Sequence, residues 1–462
     1  MTSNRSPISV PVFGFVFAFL VLLWPSPARA QQEPPPPGAP VPLTLPSAVD
    51  LALAHSHKVR LAYLSVRDSE EQKRIAESHF YPILKNDSAV HHITALQGVV
   101  LPAGALGHGT SAGLIPADTV RIDQGASTSY TSGTELAQPL TQLFRIHAGV
   151  TAADADLAAS RLQAEDTANA IALEVHQLYY NYLIEQLQGA AAQDGLNAAA
   201  AAETENQQGV QEGKLLSASE LASRANWLDQ QRAVLDSKLK LDDLTLQLDD
   251  VLGLPMGTRV VLDPDALGDS PALPSRAEGI AQLMQQNPSV LAAQKEVDKA
   301  RAGLHAAHDA YIPDITGFAH YSYQSGLPFL EHNFGVFDAS FSYNLFDGGA
   351  REANVHDARV KLSMAQEQLA QTEDDARIQI SAAYDKVELL EELLKVANQT
   401  LQAREENERI EAQRARVQAE LASGVAAAHA AATAARASVL EARLDLYLAQ
   451  NNILTLLGKQ PR

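Results

Sequence analysis

His305 and His308 stand three apart in a stretch of helical periodicity, and His91 adjoins His92 near a strand-like segment, so metal ligation is the first chemistry to weigh. Neither pair brings a third ligand at a fixed spacing, and solvent-facing histidines account for both. The glycine-rich stretch from Gly104 to Gly113 lacks the Lys-Ser/Thr signature and the strand-to-helix setting of a phosphate loop. No Ser-His-Asp arrangement can be argued. The chain has no cysteine, which excludes a thiol nucleophile, a zinc-thiolate site, a disulfide framework and a lipid-modified N-terminal cysteine. The expectation is a protein that is not an enzyme and has no cofactor and no metal.

Residues 1–30 carry Arg5, an apolar run from Val12 to Trp24 and then Ala28-Arg29-Ala30, the layout of a cleaved secretory signal. The run falls short of the roughly 20 residues a membrane-spanning helix needs. Cleavage removes two basic residues and no acid, which takes the net charge from -20 to -22. Such an acidic chain disfavours nucleic acid as a partner. Beyond residue 30 no apolar stretch reaches about 18 residues, so a membrane could be crossed only by a closed β-barrel, whose closure satisfies every backbone group without water.

The chain also repeats itself. At an offset of 231, the stretch from Ser56-His57-Lys58-Val59 to Phe80-Tyr81-Pro82 matches that from Asn287-Pro288-Ser289-Val290 to Tyr311-Ile312-Pro313. At an offset of 205, Leu157, Ala164, Ile171, Val175 and Tyr179 fall on Leu362, Leu369, Ala376, Ile380 and Tyr384, and Leu252-Gly253 falls on Leu457-Gly458. Each half therefore reads as a helix ending at a proline, a variable segment, and a long helical stretch ending in Leu-Gly. The domains follow as a signal peptide 1–30, a proline-rich, extended leader 31–45, a first repeat 46–254, an irregular linker 255–274 and a second repeat 275–458. Within the repeats, helices 46–82 and 275–312 precede hairpins 86–140 and 315–346 and long helices 146–252 and 350–457.

Leu362, Leu369, Ala376, Ala383, Leu390 and Ala397 recur every seven residues, with Ile380, Val387, Leu394 and Leu401 four positions after the later ones, a coiled-coil seam. The many alanines let helices approach closely and are also the best helix formers. The stretch from Ile146 to Gly213 would extend on the order of 100 Å, and its return over Ser217 to Leu252 about half that. One long helix can thus pair with two shorter ones stacked end to end, the geometry of a cylinder wall.

Phe337, Ala339, Phe341, Tyr343 and Leu345 alternate with Asp338, Ser340, Ser342 and Asn344, which predicts a strand with one apolar face. Its partner spans Ile315 to Gln324, joined through Gly326-Leu327-Pro328. Ten residues match the roughly 9 to 11 a tilted strand needs to cross a bilayer. The first-half hairpin is less regular, with Val90, Tyr130, Leu136 and Leu140 placed in strands and a long Gly/Pro-rich tip from Gly98 to Gly125. Four strands cannot close a barrel, since the smallest transmembrane barrels have about eight. Oligomerisation is required: two copies would give eight strands, three would give twelve and room for a channel.

The helix ends Phe80-Tyr81-Pro82 and Tyr311-Ile312-Pro313, the strand exit Tyr343-Asn344-Leu345-Phe346-Asp347-Gly348-Gly349 and the Leu-Gly ends together resemble the TolC-like outer-membrane efflux family over residues 43 to 460. The resemblance implies a homotrimer whose twelve strands form one outer-membrane β-barrel, continued through the periplasm by an α-helical barrel. It implies a periplasmic adaptor, an inner-membrane transporter and outer-membrane lipid as partners. It also implies an iris at the periplasmic turns, here near Gly209 and Gly213 and, by the 205 offset, near Gly424. The second turn departs from the pattern, because Gly213-Lys214-Leu215 aligns with Gln418-Ala419-Glu420.

Glu205, Glu212, Glu411 and Glu420 near those turns could ring the aperture and attract cations, as charged rings do in other pores. Ordinary solvated helix faces would carry the same charges. The expected function is a passive exit duct of a tripartite efflux or type I secretion system, gated at its helical tips. The competing reading, a periplasmic coiled-coil scaffold or adaptor, leaves the apolar face at 337–345 unexplained.

Overall fold

The computed structural model describes residues 41–94, 98–109, 113–122, 126–258, 260–262, 271–326, 331–416 and 421–460. Residues 1–40, which hold the expected signal peptide and most of the leader, lie outside the described residues, as do Leu327, Pro328 and Glu420.

The chain is mostly helical with a small β part, and its pattern is duplicated. Strand β1 (Val41–Leu43) leads into α1 (Leu45–His55) and α2 (His57–Ser78). Strand β2 (Ile83–His92) follows, then β3 (Val99–Leu101), β4 (His108–Gly109), β5 (Gly113–Leu114), β6 (Val120–Ile122) and β7 (Thr128–Pro139). The long helix α3 (Leu143–Gln211) and its return α4 (Ser217–Leu252) close the first copy, and β8 (Val260–Leu262) lies between the copies. The second copy runs through α5 (Arg276–Gln286), α6 (Pro288–Asp309), β9 (Asp314–Ser325), β10 (Asn333–Ser342), α7 (Ala350–Arg416) and α8 (Ala422–Leu456).

Several boundaries differ from those read in the sequence. The single helices expected over 46–82 and 275–312 are each broken once. Ser56 and Asn287 leave helical geometry at the break, with ψ of 126° and 122°. At the second break the cause is local: Asn287 accepts the Val290 amide as an N-cap and Pro288 occupies the first helical turn. The end of the extended leader and part of the irregular linker form strands β1 and β8, which pair in parallel. The apolar alternation continues to Leu345, but the ladder ends at Ser342, so Tyr343 and Leu345 stand in the segment that leads to α7.

At 69 and 67 residues, α3 and α7 extend about 100 Å each. Helix α3 packs against α2 and α6 along one part of its length and against α4 and α8 along the other, while α7 packs against α6 and α8. The seam residues Ala376, Ile380, Ala383, Val387 and Leu390 are buried. One core gathers around Val175, Tyr179, Tyr180, Leu248, Leu252 and Leu444, where the Tyr179 hydroxyl donates to the Leu43 carbonyl at 3.1 Å. A second gathers around Leu283, Val290, Ile380, Ile453 and Leu457. The two Leu-Gly ends seat each long helical pair against the helix break of its own repeat. Gly253 has a φ of +67° and lies against His55, and Gly458 has a φ of +72° and lies against the Gln286 carbonyl. A side chain at either position would be strained by the backbone and would collide.

Strands β10, β9, β7 and β2 form one antiparallel four-stranded sheet in that order, leaving β10 and β2 as its edges. Small ladders β3–β6 and β4–β5 extend from the β2–β7 end.

Candidate functional site: the helical tips and the sheet

At the first tip, α3 ends at Gln211 and the chain turns through Gly213, whose φ is +72°. Lys214 and Leu215 donate their amides back to the Gly209 carbonyl at 2.8 and 3.0 Å, closing the end of the helix. Gly209 is itself helical, and its lack of a side chain admits Leu215. At the second tip, α7 ends at Arg416 and α8 begins at Ala422. Gly424, expected as a turn residue, instead lies within the first turn of α8, which begins at Ala422 after the extended Leu421.

The tip carboxylates are held individually. Glu205 accepts the Ser423 amide at 3.0 Å and the Ser423 hydroxyl as well, so an acid of α3 caps the N-terminus of α8. Glu212 pairs with Lys214 at 2.6 Å, and that bond holds its carboxyl below the usual range. Glu411 pairs with Arg414 at 3.0 Å and is 16% exposed, with Oε2 unpartnered among the described residues. Above the tip, His429 of α8 bridges Glu408 of α7 at 2.7 Å and Asp194 of α3 at 3.7 Å. Arg436, two helical turns on, reaches Glu405 and Glu408 at 3.1 and 3.2 Å. Bonding to His429 and the charge of Arg436 lower the Glu408 carboxyl. The sequence reading missed Ser423 and this cluster. The matching signal was present, as bases spaced seven apart on α8 facing acids spaced three apart on α7.

In the sheet, residues paired across the ladder share a face. Phe337, Ala339 and Phe341 therefore lie on one side with Ile315, Ala319, Tyr321 and Tyr323, and with Tyr130, Leu136, Leu84 and Val90. Phe337 is 88% and Phe341 69% exposed in the single chain, and Ala339 is exposed as well. Leu345, beyond the ladder, is 91% exposed. Tyr343 instead carries the Arg351 guanidinium 4.7 Å from its ring centroid. The first hairpin reads irregularly because Asn86, Ser88, Ser132 and Thr134 interrupt this apolar face. They bond to one another, Asn86 donating to Thr134 at 2.8 Å and Ser88 to Ser132 at 2.9 Å. The opposite face carries the Lys85–Asp87 pair, Glu135 with His320, Asp338 and Ser340.

His91 and His92 are successive residues of β2 and project to opposite faces, and His305 and His308 lie near the end of α6. Among the described residues no three His, Asp or Glu side chains gather to hold a metal ion, and no helix is long and apolar enough to cross a membrane. The arrangement offers a two-faced sheet with two open edges, set above helices about 100 Å long.

A family model described as outer membrane efflux protein matches residues 48–254 and 279–459. No curated protein matches the chain in sequence. Among solved structures, the open state of the MtrE outer membrane channel of Neisseria gonorrhoeae is similar over 91% of this chain and 90% of its own, with a TM-score of 0.71 at 17% identity. The CmeC outer membrane channel of Campylobacter jejuni is similar over 90% of this chain and 87% of its own, with a TM-score of 0.71 at 15% identity. The outer membrane protein VceC of Vibrio cholerae is similar over 90% and 97%, with a TM-score of 0.69 at 16% identity. At these identities the likeness is one of fold.

Proposed function

The chain belongs to the outer membrane efflux protein family, and we propose that three copies of it form one exit duct through the outer membrane and the periplasm. The observation that carries this reading is the four-stranded sheet with an apolar face and two unpaired edges, β10 and β2. In a bilayer an unpaired edge is not sustainable, because each unbonded amide or carbonyl there costs several kcal/mol. Pairing β10 of one copy with β2 of the next removes every edge, and three copies supply the twelve strands of a channel-sized barrel.

The helices support the same closure. Leu221, Leu228 and Leu235 recur every seven residues on α4 and are 68%, 50% and 55% exposed in the single chain. Leu389, Leu393 and Val396 of α7 are 67%, 49% and 58% exposed. Helices α4 and α7 end the row of packed helices on its two sides, so one copy's stripe can seat on the next copy's. The duct is a passive conduit, gated where the α3–α4 and α7–α8 tips meet. A periplasmic adaptor docks on its helical wall, and an inner-membrane transporter supplies energy and chooses the cargo.

The test is the mass, by light scattering with detergent subtracted, of protein extracted from the outer-membrane fraction of expressing cells. A trimer is expected there. Monomers or dimers recovered in the soluble periplasm would overturn the duct.

A further inference from the structure

The two repeats share their element bounds. Helices α2 and α6 begin and end 231 residues apart, α3 and α7 end 205 apart, and α4 and α8 begin 205 apart. Helix α3 is flanked on one side by α2 and α4 and on the other by α6 and α8. Its counterpart α7 has α6 and α8 on one side and no packed helix on the other among the described residues. We propose that α2 and α4 of the next copy cover that side of α7 as α6 and α8 cover α3, and that Lys361 and Asp68 form between copies the ion pair that Asp156 and Lys299 form within one. The inference rests on the reading of three copies in a ring and names the contact that orders them.

Burial is the first argument. A position that is buried in one repeat and exposed in the other is one that a neighbouring copy can cover. Ala155 and Ile184 of α3 are buried, while their counterparts 205 residues on, Val360 and Leu389, are exposed. Ala292 of α6 is buried, while its counterpart 231 residues back, Leu61, is exposed. Each exposed counterpart is apolar, so the single chain leaves open a surface of the kind that marks an interface.

Charge is the second. Within the chain, the Lys299 ammonium of α6 donates to the Asp156 carboxylate of α3. Moved by the two offsets, this contact becomes Asp68 on α2 of one copy with Lys361 on α7 of the other, so the signs are exchanged and the pair is kept. Asp68 is exposed and has no ion pair among the described residues. Lys361 meets the exposed Asp357 of its own helix at 2.8 Å.

The exchange of signs decides which repeats can meet. A first repeat facing a first repeat would set Asp156 against Asp68, and a second facing a second would set Lys361 against Lys299, like charges in both cases. The second repeat of one copy against the first of the next gives opposite charges, a head-to-tail contact that can close into a ring. The same operation carries the β7–β9 ladder onto β10 and the next copy's β2, setting Phe341 opposite Ser88 and Ala339 opposite Val90.

The test uses the full-length protein in outer membranes, where the absence of native cysteine leaves no background. A chain carrying both Asp68→Cys and Lys361→Cys, treated with a short bis-maleimide, should cross-link into a ladder ending at three copies. Either substitution alone should give no cross-linked dimer. Asp68→Lys or Lys361→Asp alone should lower about tenfold the fraction of trimer that survives dilution in mild detergent, the loss being summed over three interfaces. Combining the two reversals should restore it, and if a single reversal prevents folding, recovery in the double variant carries the same support. Dimers cross-linked through Asp68→Cys alone would show first repeats meeting and overturn the order. Trimers that neither cross-link at this pair nor respond to its reversal would overturn the assigned contact and leave the ring standing. Absence of trimers in the unsubstituted protein would overturn the ring itself, a separate failure.

Discussion

The carboxylate of Glu205 on α3 accepts hydrogen bonds from the amide and the hydroxyl of Ser423 in the first turn of α8, 218 residues away in sequence. The bond joins the helical hairpin of the first repeat to that of the second at their tips. If the tips gate the duct, this cap resists their separation. Glu205→Ala should remove about 1–2 kcal/mol of local stabilisation and raise conductance in planar bilayers without changing oligomer mass. Ser423→Ala, which keeps the amide, should have a smaller effect. Unchanged conductance in Glu205→Ala would remove the contact from gating.

His176 is 1% exposed in the first core, and burial pushes its pKa down to about 4. In the unfolded chain an imidazole titrates near 6.5. The unfolded state therefore binds more protons between these values, so stability is full above about pH 6.5 and falls as pH drops toward 4. The full loss is about 3 kcal/mol per copy. Melting temperatures from pH 7.5 to 4.5 should show this fall, and His176→Leu should flatten it. An identical pH profile in the variant would place the acid sensitivity elsewhere.

Much of this architecture is legible in the residues themselves. The heptad over Leu362 to Leu401 announces α7, and the Leu-Gly repeat marks both helix ends, because these signals are local and periodic. The break at Asn287 was also legible, as an N-cap followed by proline, whereas Ser56 carries no such neighbour. The alternation through Leu345 overran the strand because it continues after the chain leaves the ladder at Ser342. The Glu205–Ser423 cap and the Arg145–Asp314 pair have no sequence spacing to betray them, since each joins the two repeats in space.

Gly458 combines a φ of +72° with a carbonyl, that of Gln286, where a Cβ would fall. Gly458→Ala should cost about 1–2 kcal/mol from the left-handed backbone alone, with the collision added. Thermal unfolding of the purified protein reads the loss. An unshifted transition would mean that the Leu-Gly seat relaxes freely.

The two faces of β10 separate the duct from a soluble scaffold. Phe337→Lys places a charge on the apolar face and should cost about 2–4 kcal/mol near the middle of a bilayer. Ser340→Lys, on the opposite face, should leave recovery from the outer membrane nearly unchanged. Equal recovery of both variants would argue that the sheet does not meet lipid.

The central claim is that β10 of one copy pairs with β2 of the next until three copies close a ring. The chain has no cysteine, so engineered pairs report without background. One cysteine placed between Phe337 and Phe341 and another between Leu84 and Ser88, scanned for register and oxidised in membranes, should give a covalent ladder that stops at three copies. Absence of intermolecular cross-links at every register, or a ladder that stops at two, would contradict it.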